Sequence, residues 1–464
     1  MSAPIFSVAG IRAIEARYLP ATPLMERAGH AAAELALQLA KGSQAPILIL
    51  AGPGNNGGDA QVVAWVLRAA GHQVLTPAID EALPSGPFAL AIDGLFGIGL
   101  TRPIAPPYAS WVDKLNNFSC PVLALDVPSG LDADTGRQLG PTVKASHTIT
   151  FIALKPGLLT LDGPDCCGEI HVANLGLPIA EFDSDATTLS PGMFSAYLSQ
   201  RLRNSHKGSH GSAGILGGAS GMAGAALLAG RAALKLGAGR VYVDMLDRNA
   251  VDSQQPELML RNAEDVITLA TALAVGPGLG QMDQAVQLLR QAIEAPLPLV
   301  IDADGLNLLA LHPALARLAA KRTDPLILTP HPAEAARLLN TDVVTIQADR
   351  LAAARELVQR FHASVVLKGC GSVVIHPNGR CHINTSGNPG LASAGSGDVL
   401  TGLIVALLAQ GWPADAALSA AVHLHGAAAD ALVAADIGPV GLTAGELIDP
   451  ARRLLNAWIA HART

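Results

Sequence analysis

Apolar and polar positions alternate between short continuous apolar runs and longer amphipathic stretches. Pro46-Ile-Leu-Ile-Leu-Ala51 is an unbroken apolar run of strand length, the pattern of a strand covered on both faces. Phe88-Ala-Leu-Ala-Ile-Asp93, Val122-Leu-Ala-Leu-Asp126, His147-Thr-Ile-Thr-Phe-Ile-Ala-Leu154 and Gly168-Glu-Ile-His-Val-Ala173 predict further strands. A helix is predicted from Thr22-Pro23, a start signal, to about Lys41, and another over Ala60 to Ala70. A stretch rich in Asp, Ser and Thr and punctuated by Pro and Gly, about 178–203, reads as a linker. Alternation then resumes. Lys207 to Gly218 opens a new sheet and a helix runs from Gly221 to about Leu236. Apolar runs recur at Gly239–Asp244, Thr271–Gly280, Leu297–Asp302 and Leu326–Pro330. Repeated strand–helix units predict an α/β chain of two domains, 1–203 and 204–464, each a mostly parallel doubly wound sheet. The halves share that architecture without a visible sequence duplication.

The stretch Asn384-Thr-Ser-Gly-Asn-Pro-Gly-Leu-Ala-Ser-Ala-Gly-Ser-Gly-Asp398 leads into the apolar run Val399–Ala409. The four small residues Ala394 to Gly397 let backbone N–H groups point into one hollow, and a helix start adds unpaired N–H groups and a positive dipole end. Such an arrangement cradles phosphate. Asp398 falls in the first turn, where the helix field is expected to keep it ionised and ready to accept a proton. For Gly-Ser-Gly-Asp alone, a simple capping Asp is the alternative.

Strand ends carry the remaining candidate chemistry. Gly52-Pro-Gly-Asn-Asn-Gly-Gly-Asp59 has the strand–Gly loop–helix layout of a nucleotide-binding turn, but is neither G-x-G-x-x-G nor a Walker loop. Asn55 and Asn56 add amide groups that a plain phosphate loop does not need; a tight turn with Asx capping is the alternative. Asp93 runs into Gly94-Leu-Phe-Gly-Ile-Gly-Leu100, and Asp126 into Val127-Pro-Ser-Gly-Leu131. Carboxyl ends of parallel strands gather at one edge, so Asn56, Asp93, Asp126 and Ser129 are expected in one crevice. Lys155 could reach substrate phosphate, but it is expected to be a solvated lysine at a strand end. In the second half the strand ends are Asp302-Ala-Asp-Gly-Leu-Asn307, Thr329-Pro-His-Pro-Ala-Glu334 and the segment around Lys368-Gly-Cys-Gly-Ser372. Prolines on both sides of His331 fix its direction.

Composition narrows the class. A chain of 464 residues is too long for one core. Half of it is hydrophobic, and 15% charged with 3% aromatic residues excludes a disordered protein. The formal net charge of -7, without a basic cluster, argues against nucleic acid as a partner. Five cysteines, none in C-x-x-C spacing, fit a reducing cytoplasm. The N-terminus has no signal-peptide pattern, and the apolar runs read as too short or too Gly-broken to cross a membrane.

Leu24-Met-Glu-Arg-Ala-Gly29, Gly54-Asn-Asn-Gly-Gly-Asp59, Asp93-Gly-Leu-Phe-Gly97 and Asp126-Val-Pro-Ser-Gly-Leu131 together resemble the Rossmann-like NAD(P)H-hydrate epimerase domain, over most of residues 20–180. The resemblance implies a potassium site from Asn56, Asp93 and Ser129, whose oxygen ligands suit a hard cation. It implies substrate contacts from Asn55, Asn56, Gly57, Gly58 and Asp59, from the loop Gly97, Ile98, Gly99, Leu100, Thr101, Arg102 and Pro103, and from Asp126, which would be the acid/base residue. Ala60 stands where the family usually has another Gly, and its methyl is expected to crowd the loop slightly. Gly387-Asn-Pro-Gly-Leu391 with Gly395-Ser-Gly-Asp398 resembles the ribokinase-like superfamily, and within it the NAD(P)H-hydrate dehydratase branch, over about 205–445. That implies hydrate contacts from Ala225, Gly280, His331 and Asp398, with Asp398 as catalytic base. It implies nucleotide contacts from Lys368, Gly369, Cys370, Gly371 and Ser372 and from Gly395, Ser396 and Gly397. Glu334 would hold magnesium through water.

The resemblances imply an isomerase and lyase that epimerises NADH hydrate and NADPH hydrate and dehydrates the S form with ADP, acting as a homo-oligomer. Two rivals stand beside this reading. One is an ATP-dependent vitamin or sugar kinase fused to a Rossmann-like domain. The other makes the N-terminal domain a binding or scaffold module.

Overall fold

The computed structural model describes residues 2–19, 21–246 and 251–462. They form two compact units, one of Ala3–Thr187 and one from Thr188 onward.

The first unit contains β1 (Pro4–Ile5), β2 (Ile47–Ala51), β3 (Val74–Leu75), β4 (Leu90–Gly94), β5 (Val122–Leu125), β6 (His147–Phe151), β7 (Glu169–Ala173) and the start of β8 (Ala186–Thr188). Six of them form a parallel sheet in the order β3-β2-β4-β5-β6-β7. A short antiparallel pair joins β1 to β8. The Leu24–Leu39 and Asn55–Ala69 helices cover one face through Ala32, Ala36 and Val63. The Tyr108–Leu115 helix covers the other through Trp111 and Val112. Burial on both faces is why these strands read as continuous apolar runs. A helix the pattern does not announce, Val8–Tyr18, buries only Ile11 and Ile14, too few to mark an apolar face.

The helix expected from Ala60 begins at Asn55, so Asn55 to Asp59 are its first turns and not a preceding loop. A Cβ on Gly57 would collide with the Gly52 carbonyl. The glycine that reads as a loop signal is there so that the helix can rest on the strand end. Ala60 is fully buried, and its methyl faces Gly94, where an added Cβ would sit 2.5 Å away. The methyl fills the space between helix and sheet and does not crowd the loop.

The second unit contains β9 (Ser212–Gly217), β10 (Arg240–Met245), β11 (Met259–Leu260), β12 (Ala272–Val275), β13 (Leu299–Ile301), β14 (Leu326–Leu328), β15 (Ser364–Leu367), β16 (Val373–Ile375) and β17 (Cys381–Ile383). They lie in the order β17-β16-β15-β14-β13-β12-β9-β10-β11, parallel from β15 to β11. The strand end expected at Lys368 is the turn of an antiparallel hairpin, β15 and β16. Lys368 to Ser372 form its turn, with Gly369 at φ +144° and Gly371 at φ +62°. Lys207–His210 is a short 3-10 helix, and the strand begins only at Ser212.

Every residue of Val399–Ala409 is buried in the Ser396–Ala409 helix. Gly402 lets that helix touch the Ala229 carbonyl of the Ala223–Lys235 helix. The expectation that no apolar run is continuous enough to cross a membrane needs correction. The Ala414–Val433 helix is long and apolar enough, although 72% of its most apolar window is buried in the fold. It packs between the Ser396–Ala409 and Ile448–His461 helices, and that burial accounts for its apolar composition.

Candidate active sites

In the first unit the carboxyl ends of β4 and β5 bring three expected residues together. Asp126 follows β5 with φ +65°, a left-handed conformation that costs a non-glycine residue on the order of 1–3 kcal/mol. Its Oδ2 accepts from Ile98 N at 3.2 Å. Its Oδ1 accepts from Lys155 Nζ at 2.7 Å. A Cβ on Gly97 would stand 2.9 Å from Asp126 Oδ2 and 3.4 Å from Asn56 Cγ. The Gly97–Ile98 backbone therefore runs directly between Asn56 and Asp126. Asp59, one helical turn on from Asn56, has its carboxyl pushed up to about 8 by burial and by the charges of Asp126 and Glu15. Asn55, Gly57 and Gly58 share that helix start, with Gly58 beneath the Met25 thioether. Gly99 is exposed near Arg12, and Thr101, Arg102 and Pro103 are exposed further along the loop. Leu100 turns toward the apolar layer under the Tyr108–Leu115 helix.

Behind this crevice Asp93 is fully buried. Its carboxylate accepts from Ser129 N at 2.8 Å, Ser129 Oγ at 2.7 Å and Leu95 N at 3.2 Å. Burial lifts its pKa to about 6 against those hydrogen bonds. Ser129 Oγ also meets Phe96 O at 3.1 Å. Both side-chain atoms of Asn56 are buried without a hydrogen-bond partner. An unpartnered buried amide costs about 1–3 kcal/mol per group. An amide oxygen, a carboxylate and a hydroxyl make an oxygen-rich donor set that suits a hard cation.

Lys155 was expected to be solvated; its side chain is instead fully buried. Besides Asp126 it donates to Thr150 Oγ1 and Phe151 O, both at 2.8 Å. Its apolar setting, Ile152-Ala-Leu-Lys-Pro-Gly-Leu-Leu159, was the available signal. A lysine in such a run is held there by partners. Glu15 and Arg12, on the unannounced Val8–Tyr18 helix, also border the crevice.

In the second unit an ion pair lies at the centre. Lys368 Nζ donates to Asp302 Oδ1 at 2.9 Å and stands 3.9 Å from Glu334 Oε2. Thr401 Oγ1 donates to Asp302 Oδ2 at 2.8 Å. Burial alone would lower the Lys368 ammonium, but Asp302, Glu334 and Asp398 raise it. The helix start lies against this pair: a Cβ on Gly397 would be 3.3 Å from Lys368 Nζ and 3.8 Å from Asp302 Oδ2. Gly395 caps the helix at φ +88°, and Ser396 Oγ donates to Leu391 O at 2.8 Å. Asp398 lies in the first turn, as expected, but the helix field does not keep it strongly ionised. Burial and the Asp302 charge push its carboxyl to about 7, with Lys368 opposing them.

His331 and Glu334 form a reciprocal cap at the start of the Pro332–Leu339 helix. Glu334 Oε2 accepts from His331 N at 2.8 Å, while His331 Nδ1 accepts from Ala333 N at 3.0 Å. The His331 side chain stays 47% exposed, at the rim. Gly280 donates its N–H to Asp304 Oδ2 at 2.9 Å. Ala225 packs near Gly278, on the same loop as Gly280. In the hairpin turn, Ser372 Oγ bridges to Gly369, and Cys370 is exposed. Three supports escaped the sequence reading. Arg350, almost fully buried, holds the turn through Leu367 O and Lys368 O, both at 3.2 Å. Asp430 accepts from Gly387 N at 2.8 Å and Asn388 Nδ2 at 3.0 Å, fixing the Gly-Asn-Pro-Gly segment. Thr401 ties helix to strand end. All three lie far in sequence from the groups they hold.

Comparison with known proteins agrees with this division. The family described as NAD(P)H-hydrate dehydratase matches residues 213–451. The family described as YjeF-related protein N-terminus matches 21–85 and 76–157. The bifunctional NAD(P)H-hydrate repair enzyme Nnr of Escherichia coli (strain K12) is 40% identical, over 93% of this chain and 89% of that protein. Its counterpart in Coxiella burnetii is 38% identical, over 93% and 94%. Among solved structures, the ADP/ATP-dependent NAD(P)H-hydrate dehydratase of Bacillus subtilis, co-crystallized with ATP/Mg2+, is 31% identical. It covers 58% of this chain and 97% of its own, with a TM-score of 0.51. A ribokinase-like superfamily protein of Enterococcus faecalis, at 24% identity and TM-score 0.52, shares the fold. With both matched regions present in one chain and relatives aligned along nearly its whole length, this protein belongs to the family of bifunctional NAD(P)H-hydrate repair enzymes.

Proposed function

We propose that the first unit interconverts the R and S epimers of NADH hydrate and NADPH hydrate, and that the second dehydrates the S form with ADP, giving AMP and phosphate. The observation that carries this reading is a carboxylate at the ligand edge of each sheet: Asp126, buried and clamped by Lys155, and Asp398, partly buried, with its pKa raised to about 7 beside Lys368.

In the first unit Asp126 is the acid/base residue, and Lys155 holds its Oδ1 so that Oδ2 faces the crevice. Asn55 to Asp59 and the Gly97–Pro103 loop line the substrate's place. Asn56, Asp93 and Ser129 would hold potassium, which would supply positive charge beside the substrate; the orphaned Asn56 amide supports that fit.

In the second unit Asp398 draws the proton from the ring hydroxyl. The phosphoryl group passes to that oxygen through a loose, highly charged transition state. Backbone N–H groups of Gly395 to Gly397 stabilise the charge, a term whose loss typically costs about 10²–10³ in rate. Phosphate then departs with the C–O bond electrons as the ring nitrogen donates its lone pair, and loss of a neighbouring ring proton restores the double bond. Lys368 to Ser372 flank the nucleotide; Ala225, Gly280 and His331 flank the hydrate. Glu334 is already committed to the helix cap and to Lys368. That fits magnesium arriving with the nucleotide phosphates, where it neutralises charge, and not a dedicated protein cage. We place the enzyme in the cytoplasm, since the cysteines form no disulfide, and as a homo-oligomer without membrane or nucleic-acid partners.

The test is recovery of reduced-nicotinamide absorbance from a mixed-epimer hydrate preparation with ADP. Complete recovery is expected. Recovery that stalls when one epimer is spent would remove the epimerase assignment. A stable phosphorylated product with ATP would favour the kinase rival.

A further inference from the structure

At the opposite edge of the first sheet, away from Asp126, three side chains that take no part in the proposed chemistry converge. His147 and Glu169 are the first residues of β6 and β7 and are direct register partners. His171 lies two residues after Glu169, and therefore on the same face. His147 Nδ1 is 3.4 Å from His171 Nε2 and 3.6 Å from Glu169 Oε2, and His171 Nε2 is 3.8 Å from Glu169 Oε1.

We infer that His147, Glu169 and His171 form a binding site for a zinc-class divalent ion. The spacing is compatible with a metal site as well as with a long contact between the rings. At 3.4 Å the ring nitrogens stand at the long end for a hydrogen bond. Donor atoms about 2.0–2.1 Å from a tetrahedral zinc ion lie roughly 3.3–3.4 Å from one another. The imidazole pair already has that separation, and the carboxylate oxygens lie within 3.8 Å of the ring nitrogens. Two neutral imidazoles and one carboxylate match the borderline softness of zinc and leave one coordination position for water. The histidine side chains are 22% and 31% exposed, so an ion can enter from solvent. Among the described residues, strand β7 ends the sheet and pairs with β6. A bound ion would staple that edge strand to its neighbour and stabilise the folded unit by mass action.

The test uses the full, untagged chain freed of metal, titrated with Co2+ as a visible probe and then with Zn2+. The wild type is expected to bind one Co2+ with the intense visible absorption of four-coordinate cobalt, lost on Zn2+ addition, and to melt at higher temperature with Zn2+. His171→Ala and His147→Ala should abolish the absorption. Glu169→Gln, which keeps the imidazole pair, should weaken binding at least about tenfold, the smallest loss seen when even outer-shell partners of a metal are removed. Circular dichroism of the metal-free variants checks that each is folded. Wild type that gives no four-coordinate spectrum, or variants that keep it, would overturn the site.

Discussion

Replacing Lys155 with methionine tests the heart of the first site, because it keeps the length of the side chain and deletes its charge. The wild-type ammonium is fully buried and donates to Asp126 Oδ1, Thr150 Oγ1 and Phe151 O. Breaking a buried pair by removing one partner typically costs about 3–5 kcal/mol, because the other charge stays behind. Lys155→Met should lower local stability by about that amount. Adding Asp126→Asn should return about 1–3 kcal/mol, as the stranded charge disappears. A chain of two units does not unfold in one step. The readout is therefore hydrogen exchange by mass spectrometry on peptides spanning Val122–Val127 and His147–Lys155. Epimerisation should fall by about 10²–10⁴ in both variants, the range for a disabled acid/base group, with KM much less affected. Unchanged protection in Lys155→Met would refute the reasoning. So would penalties that simply add in the double variant.

Three further outcomes follow from buried or partly buried polar groups. Asp398 must be ionised to act as a base and its pKa is raised to about 7, so kcat/KM for dehydration should rise with pH through that value; a flat profile between pH 5.5 and 8 would contradict the assignment. Asp59 has a folded pKa of about 8 against an ordinary value of 3.8. Between those values the folded state holds a proton that the unfolded state releases, so stability falls as pH rises through that window. Asp59→Asn should then raise the melting temperature more at pH 8 than at pH 5. Asn56→Leu removes two buried polar atoms that lack partners; in potassium-free buffer it should melt no lower than wild type, and it should lose any stabilisation by added potassium.

The strand ends were legible because parallel strands buried on both faces write themselves as apolar runs, and each run stops at a polar residue. Asp93, Asp126 and Asp302 were visible that way, and Asp398 through the run of small residues before its helix. The strand end at Lys368–Ser372 was legible, but the antiparallel return after it was not, since both arms of the hairpin are equally buried and apolar. The start of the Asn55–Ala69 helix was hidden because Gly57 reads as a loop residue although close packing on Gly52 demands it. The protonation of Asp398 could not be read, because it depends on Asp302, 96 residues away in sequence, and on burial outweighing the helix field. Lys155 shows the same limit: a charged residue in an apolar run signals burial, but its partner is set by the fold; Arg350, between Asp349 and Leu351, carries no such signal.

The most direct test of one site per unit is a pair of substitutions, each assayed for both reactions. Asp398→Ala should lose ADP-dependent dehydration by at least about 10²–10³ while epimer interconversion, followed by chromatography of the two hydrates, stays within twofold of wild type. Asp126→Ala should do the reverse. Loss of both activities from one substitution in a folded protein would contradict the account.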